Sequence, residues 1–332
     1  MSLPRALSTP LAAATVLASA LLLAACGGGD QKETFQPTRI VAFGDENTLI
    51  APTGRQYSVN NLTPIATTNP NGVPCRNNPI WVQYVASDYG LPFAVCTAEA
   101  ERPTALMRAS VGATVASVQQ AIDTLNASAA PLNSNDLVTL MVGTHDLLEI
   151  IGTNKTPNAA ELETMRQAAL ARGRQAGALV QQVVARGARI LFTTVPNLAT
   201  APLAQHLGAT NAGYNAAALQ TLSVAFNDGL NLGSQVPSGG GRNGAVLQVD
   251  SLVNVYRDNP ETYTAVTERF KAACMADATT IMADADLVNC TATATVDTAK
   301  FAYLWAGRVQ FGTFTHGLLG QEAVARIRAN PL

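Results

Sequence analysis

Two polar segments, each placed directly after an apolar run, carry the side chains best suited to chemistry. Asp45 and Glu46 follow the apolar run at residues 39–43, and His145 follows the run at residues 136–142. An imidazole beside a carboxylate can accept and donate protons, which is the chemistry of general acid–base catalysis. The same two groups can instead form an ion pair that only stabilises the fold.

The rest of the composition argues against several classes of function. The formal net charge is −2, charged residues make up 13% of the chain and no basic block occurs, so the sequence predicts no nucleic-acid partner. The glycines at 239–241 are not followed by the lysine of a phosphate-binding loop. Histidine occurs only three times and no cluster of metal ligands is visible, so the sequence predicts neither a metal nor another cofactor.

Strand-length apolar runs alternate with segments of helical spacing along the chain. Strands that are apolar on both faces and alternate with long helices are typical of a parallel sheet covered by helices on both sides. Ligands of such sheets bind beyond the carboxyl ends of the strands, where the polar segments above are placed. The predicted strands are 39–43, 104–107, 136–142, 189–194 and 245–250, and the predicted helices are 80–89, 115–125, 158–186, 211–232 and 314–327.

The first 26 residues have the order of a secretory signal peptide, with one Arg followed by an apolar run at 11–25. The run ends Leu-Ala-Ala-Cys, which resembles the lipobox of bacterial lipoproteins and implies that Cys26 becomes the lipidated N-terminus. Gly27 after the Cys implies, by the same resemblance, an outer-membrane protein that faces the periplasm or the cell surface. We therefore expect a signal peptide at 1–26, a flexible tether at 27–37 and a single domain at 38–332.

Four further cysteines follow Cys26, and an exported compartment permits disulfide bonds. Four cysteines allow three pairings. Sequence separations of about 21 and 16 residues favour Cys75 with Cys96 and Cys274 with Cys290. A metal site is the alternative, but neither pair has the close spacing of a CxxC motif.

Four short segments, in order along the chain, resemble the sequence blocks of SGNH/GDSL hydrolases. They are residues 41–48 for the Gly-Asp-Ser block with the nucleophilic serine, 109–114 for the glycine of the oxyanion hole, 142–146 for Gly-x-Asn-Asp, and 303–311 for Asp-x-x-His. The resemblance covers roughly residues 38–328. It implies a three-layer α/β/α sandwich with a doubly wound, mainly parallel five-stranded sheet.

The residues that perform catalysis in that family are replaced in this chain. The serine position is Glu46, the oxyanion-hole Asn is His145, and the Asp and His of the last block are Gly307 and Gln310, whereas Gly112 fits the glycine donor. Acyl transfer in the family needs a hydroxyl nucleophile, a His base and oxyanion donors. Glu46 has no hydroxyl and Gln310 cannot accept a proton, so ordinary serine-ester hydrolysis is expected to be lost.

The resemblance also brings Glu46 and His145 together, because the corresponding Ser and Asn flank one oxyanion. We expect the two side chains within about 4 Å, with the pKa of His145 raised by the carboxylate, and Glu46 at the start of a helix. Two interpretations stay open, namely an ion pair that fills the oxyanion hole and an acid–base pair that acts on water. Asp45 and Asp146 are interpreted as structural residues, as is His316.

Three functions are compatible with these residues. The first is a pseudo-hydrolase that binds an acylated glycan, a lipid or an envelope protein in a cleft formed by Asp45, Glu46, Gly112 and His145. The second is an ester hydrolase that uses Glu46 and His145 on an activated water. The third is a structural or assembly role in the envelope. In each case the lipidated Cys26 is expected to hold the protein on the membrane.

Overall fold

The computed structural model describes residues 35–61, 78–97, 104–205, 214–237, 241, 243–266, 268–277, 280–291 and 302–329. Cys26 and Cys75 lie outside these ranges. The strands are β1 (Arg39–Gly44), β2 (Ala105–Met107), β3 (Asp136–Met141), β4 (Arg189–Thr193), β5 (Gly244–Leu247), β6 (Glu268–Ala272) and β7 (Tyr303–Trp305). The α-helices are α1 (Trp81–Asp88), α2 (Val115–Asn126), α3 (Thr144–Ile151), α4 (Ala159–Ala185), α5 (Pro202–Gln205), α6 (Ala216–Ser234), α7 (Val249–Asp258) and α8 (Thr313–Ala329).

Five strands form one sheet in the order β2-β1-β3-β4-β5, and every neighbouring pair in it is parallel. The apolar runs of β1, β3 and β4 are buried almost throughout, as expected of strands covered on both faces. The predicted α/β fold with a five-stranded parallel sheet flanked by helices is therefore confirmed. The strand order reverses between β1 and β3, and ligands of such sheets bind in the crevice beyond the carboxyl ends of these two strands.

The helices pack in two groups, one in which α4 contacts α2, α3 and α6, and one in which α8 contacts α1 and α7. The contact between α4 and α6 is the most extensive between helices of the described residues. Glycines make it possible, because a Cβ on Gly173 would lie 2.0 Å from the carbonyl oxygen of Phe226, and a Cβ on Gly229 would lie 2.1 Å from that of Leu170.

Several elements differ from the sequence prediction. The fifth strand ends at Leu247 and not at residue 250, because Val249 and Val253 are buried at helical spacing in α7. Residues 144–151 form α3, a helix that was not predicted from the sequence. The parallel pair of β6 and β7 was also not predicted, because β6 has exposed, charged residues rather than an apolar run.

The predicted disulfide between Cys274 and Cys290 is present, with a Cα–Cα distance of 5.8 Å. Cys96 is also disulfide-bonded, and Cys75, its predicted partner, lies outside the described residues. The Cys274–Cys290 loop contributes Leu287 to a small core with Val59 and Ala306. This core packs the loop against the turn that follows β7. Within the described ranges, we find no helix of the length and apolar character needed to span a membrane.

Candidate functional site

The ends of β1 and β3 bring the two polar segments of the sequence together. The strands pair in parallel over their whole length. Gly44, the last residue of β1, and Gly143, two residues after β3, have φ angles of +150° and +128°. A Cβ at these positions would lie 2.3 Å and 2.4 Å from its nearest neighbour. Only glycine fits such sites without strain, so both segments turn at a glycine and place Glu46 and His145 in the same crevice.

Glu46 and His145 are in direct contact. The distance from His145 Nε2 to Glu46 Oε2 is 2.7 Å, which confirms the predicted approach of the two side chains. The Glu46 side chain is 2% exposed and that of His145 is 16% exposed. The carboxylate is therefore withdrawn from water, and the imidazole forms the partly open side of the pair.

The expectation that Glu46 begins a helix is wrong. The backbone turns at this point. The N–H of Thr48 donates to the carbonyl of Asp45 at 3.0 Å, and the N–H of Leu49 donates to the backbone carbonyl of Glu46 at 3.3 Å. These bonds close single turns that do not continue into a helix. The helix start at the site belongs instead to His145, the second residue of α3.

Two carboxylates and the imidazole share the crevice. Asp45 Oδ1 accepts the N–H of Asn47 at 3.0 Å. Burial, followed by the charge of Glu46, raises the pKa of Asp45 to about 7. Burial lowers the pKa of His145, but the hydrogen bond and charge of Glu46, with help from Asp45 and Asp284, outweigh it and raise that pKa to about 9. The imidazole is therefore protonated at neutral pH.

Asp284, in the disulfide loop, is another carboxylate whose charge reaches the pair. Burial raises its pKa and the charge of Glu46 adds to this, while Arg308 and His145 oppose it. Arg308 Nη1 lies 3.7 Å from Asp284 Oδ2. Asp284 was not predicted from the sequence because it lies outside the four segments that resemble the SGNH/GDSL blocks. The predicted pairing of Cys274 with Cys290 defines the loop that contains Asp284, but it does not show where that loop lies in the fold.

Gly307 and Gln310 lie in the turn after β7. The N–H of Phe311 donates to Asn47 Oδ1 at 2.8 Å, which joins this turn to the segment after β1. Gln310 is fully buried and its Oε1 accepts the N–H of Val309 at 3.2 Å. A Cβ on Gly307 would lie 2.4 Å from Gln310 Oε1. An aspartate at 307 would clash with Gln310 in its present conformation, so the residue types at these two positions are sterically coupled.

The other candidate residues occupy structural or exposed positions. Asp146 is fully buried and accepts hydrogen bonds from the N–H of Val115 at 3.0 Å and from Arg172 at 3.0 Å, as expected of a structural residue. His316 is buried, and burial lowers its pKa to about 3, so it is neutral. Gly112 is exposed and has a φ of +68°, and a Cβ added to it would meet no described atom within 4 Å.

The raised pKa of His145 predicts how stability depends on pH. The folded value of about 9 exceeds the unfolded value of about 6.5. The stabilisation is thus fully present below about pH 6.5 and is lost as the pH rises through about 9. We expect the difference in unfolding free energy between wild type and His145→Gln, from urea denaturation, to be largest near pH 6 and to shrink by about pH 9.5. A difference that grows with pH would contradict this assignment.

No family model matches the chain and no curated protein matches it. Among solved structures, the chain is similar to the Bacillus subtilis protein YXIM, with 13% identity over 88% of this chain and 56% of that one and a TM-score of 0.37. It is also similar to an extracellular lipase from Streptomyces rimosus, with 13% identity over 87% and 98% of the two chains and a TM-score of 0.43. A mutant acetyl-xylooligosaccharide esterase from Geobacillus has 10% identity over 89% and 96%, with a TM-score of 0.43. The chain spans little more than half the length of the Bacillus subtilis protein.

Proposed function

We propose that the protein is a lipid-anchored envelope protein with an SGNH-hydrolase-like fold that binds an acylated ligand without hydrolysing it. The contact between Glu46 and His145 is the observation that supports this most. At the end of β1, where these hydrolases carry serine, a buried carboxylate is hydrogen-bonded to an imidazole at 2.7 Å. Glu46 supplies no hydroxyl, and its negative charge would repel an oxyanion that forms at this place.

The positions of the base and its orienting acid also argue against hydrolysis. The amide of Gln310 cannot accept a proton at neutral pH, and Gly307 has no side chain that orients a base. His145 cannot act as a base while it is protonated, and its pKa is raised to about 9. Hydrolysis by Glu46 and His145 through an activated water therefore has weaker support than binding.

The exposed loop after β2, residues 110–113, offers a surface for a ligand near the hydrogen-bonded pair of Glu46 and His145. Val111 is 47% exposed, and a Cβ added to the next residue, Gly112, would meet no described atom within 4 Å. The N–H of Ser110 donates to the carbonyl of Gly44 at 3.0 Å, which holds the loop at the end of β1. An apolar side chain next to open backbone suits a ligand with an acyl group on a polar body, such as an acylated glycan.

We expect the purified protein to release p-nitrophenol from p-nitrophenyl acetate and butyrate no faster than buffer does. The reason is the replacement of nucleophile, base and orienting acid, because loss of triad members lowers the rate by several orders of magnitude. An active esterase at equal concentration is the positive control. A rate above background that Glu46→Ala abolishes would favour the hydrolase instead.

Binding of an acylated ligand is tested by backbone amide hydrogen exchange. The exchange of the protein is measured with an acetylated glycan and with the same glycan after deacetylation. Slower exchange in residues 110–113 with the acetylated form alone is the expected result. Unchanged exchange with both forms would favour a structural or assembly role in the envelope.

Cys26→Ser is expected to release the protein from the outer membrane into the soluble fraction. The lipobox resemblance makes this cysteine the site of three acyl chains, and two or more chains suffice for stable anchoring. Fractionation of cells that express wild type and variant at equal levels measures the effect. Continued sedimentation of the variant with the outer membrane would mean that something other than lipid holds the protein there.

A further inference from the structure

The crevice beyond the carboxyl ends of β1 and β3 has a feature that binding of an acylated ligand does not use. One ligand atom each of Asp45, Glu46 and His145 lie within 4.8 Å of one another. Carboxylate oxygen and imidazole nitrogen are ligands of zinc and related divalent ions. The sequence shows no such cluster, because Glu46 and His145 are 99 residues apart and only the pairing of β1 with β3 brings them together.

Unpartnered oxygens are the second, independent observation. Asp45 Oδ2 and Glu46 Oε1 are buried and accept no hydrogen bond from the described residues. The two residues are 1% and 2% exposed, so bulk water does not solvate these atoms. Buried polar atoms are nearly always satisfied, and a bound ion is one of the few explanations when they are not.

The charges of the crevice point in the same direction. Two carboxylates lie side by side, and like charges in a buried site raise the free energy unless a cation compensates them. One imidazolium balances one carboxylate and leaves the second acid without a counter-charge unless it is protonated, whereas a divalent cation balances both in their ionised form. Arg308 does not serve here, because its guanidinium lies against Asp284 at 3.7 Å.

We propose that Asp45, Glu46 and His145 bind one divalent first-row transition-metal ion, of the class represented by Zn²⁺. Bonds of about 2.0–2.2 Å place the ligands of a tetrahedral ion about 3.4 Å apart. The ligand atoms, which now lie within 4.8 Å of one another, therefore reach these distances by small side-chain movements. The His145 side chain, 16% exposed, provides the route from solvent. It releases its Nε2 proton to water, moves off Glu46 Oε2 and binds the ion as a neutral imidazole.

The test is calorimetric titration of the metal-free, untagged protein with ZnCl₂. We expect one ion per chain, and Glu46→Gln and His145→Gln should each weaken binding by at least about 10–100-fold, the loss typical even of groups that only support a ligand. Glu149→Gln is the matched control, because Glu149 is an exposed acid one turn along α3 from His145 and its loss should leave the affinity unchanged. Absence of binding, or equal affinity in all three variants, would overturn the proposal.

X-ray absorption at the zinc edge of the wild-type complex keeps the proposal testable if a variant fails to fold. One imidazole nitrogen with carboxylate oxygens supports the site. A sulfur ligand, or more than one imidazole, would place the ion elsewhere and overturn it. The esterase and hydrogen-exchange experiments use no added metal, so failure of the proposed function and failure of the metal site are distinguishable.

Discussion

Replacing His145 by alanine is expected to lower the free energy of unfolding by about 3 kcal/mol, because it removes the cation that is paired with the buried carboxylate of Glu46. Glu46 is 2% exposed and its hydrogen bond to His145 is 2.7 Å long. Without the imidazole, Glu46 and Asp45 face each other as two acids in a poorly hydrated space. The decrease in the free energy of unfolding stays below that for a fully buried ion pair. The reason is that His145 is 16% exposed, so water can enter the space that the imidazole leaves.

Urea denaturation near pH 6 in the presence of a chelator measures this effect, and a double-mutant cycle isolates the pair. In the Glu46→Gln background, the same His145→Ala change should cost less than about 1 kcal/mol, because a neutral amide needs no counter-charge. Equal losses in both backgrounds would mean that His145 stabilises the fold by packing and not through Glu46.

Gly173→Ala should destabilise the protein by about 3 kcal/mol, at the upper end of the range for overpacked sites. The new Cβ would lie 2.0 Å from the carbonyl oxygen of Phe226 and 2.9 Å from the backbone nitrogen of Leu230. Both atoms belong to the backbone of α6, so no rotamer change relieves the clash. The helices α4 and α6 must therefore move apart, and packing contacts along their length are lost.

The matched control is Gly317→Ala in α8. There the nearest atom to the new Cβ is Tyr84 Oη at 3.5 Å, an ordinary contact. Alanine is the better helix former by about 0.8–1.0 kcal/mol, so this variant should be more stable than wild type. Thermal denaturation of both variants gives the comparison, and a similar loss in each would contradict the role assigned to the α4–α6 contact.

The sequence by itself determined the elements of the sheet and the place of the site. Residues 39–43 and 136–142 are apolar runs that end at glycine, and such runs form buried parallel strands because both of their faces must be covered. The carboxyl ends of parallel strands meet at one edge of a sheet. The approach of Glu46 to His145 was therefore predictable from the resemblance and the strand pattern, before any contact was known.

Only the tertiary structure decided what that site contains. Asp284 reaches it from a disulfide loop far along the chain, and no local pattern encodes where a loop folds back. The burial that raises the pKa of Asp45 to about 7 and the unpartnered oxygens of the crevice also depend on packing by distant segments. The same holds for the steric coupling of positions 307 and 310, because the side chain of Gln310 occupies the space that a Cβ on Gly307 would need. Local sequence preferences decide which helices and strands form. The burial of the ionisable side chains and the balance of their charges depend on how those elements pack together.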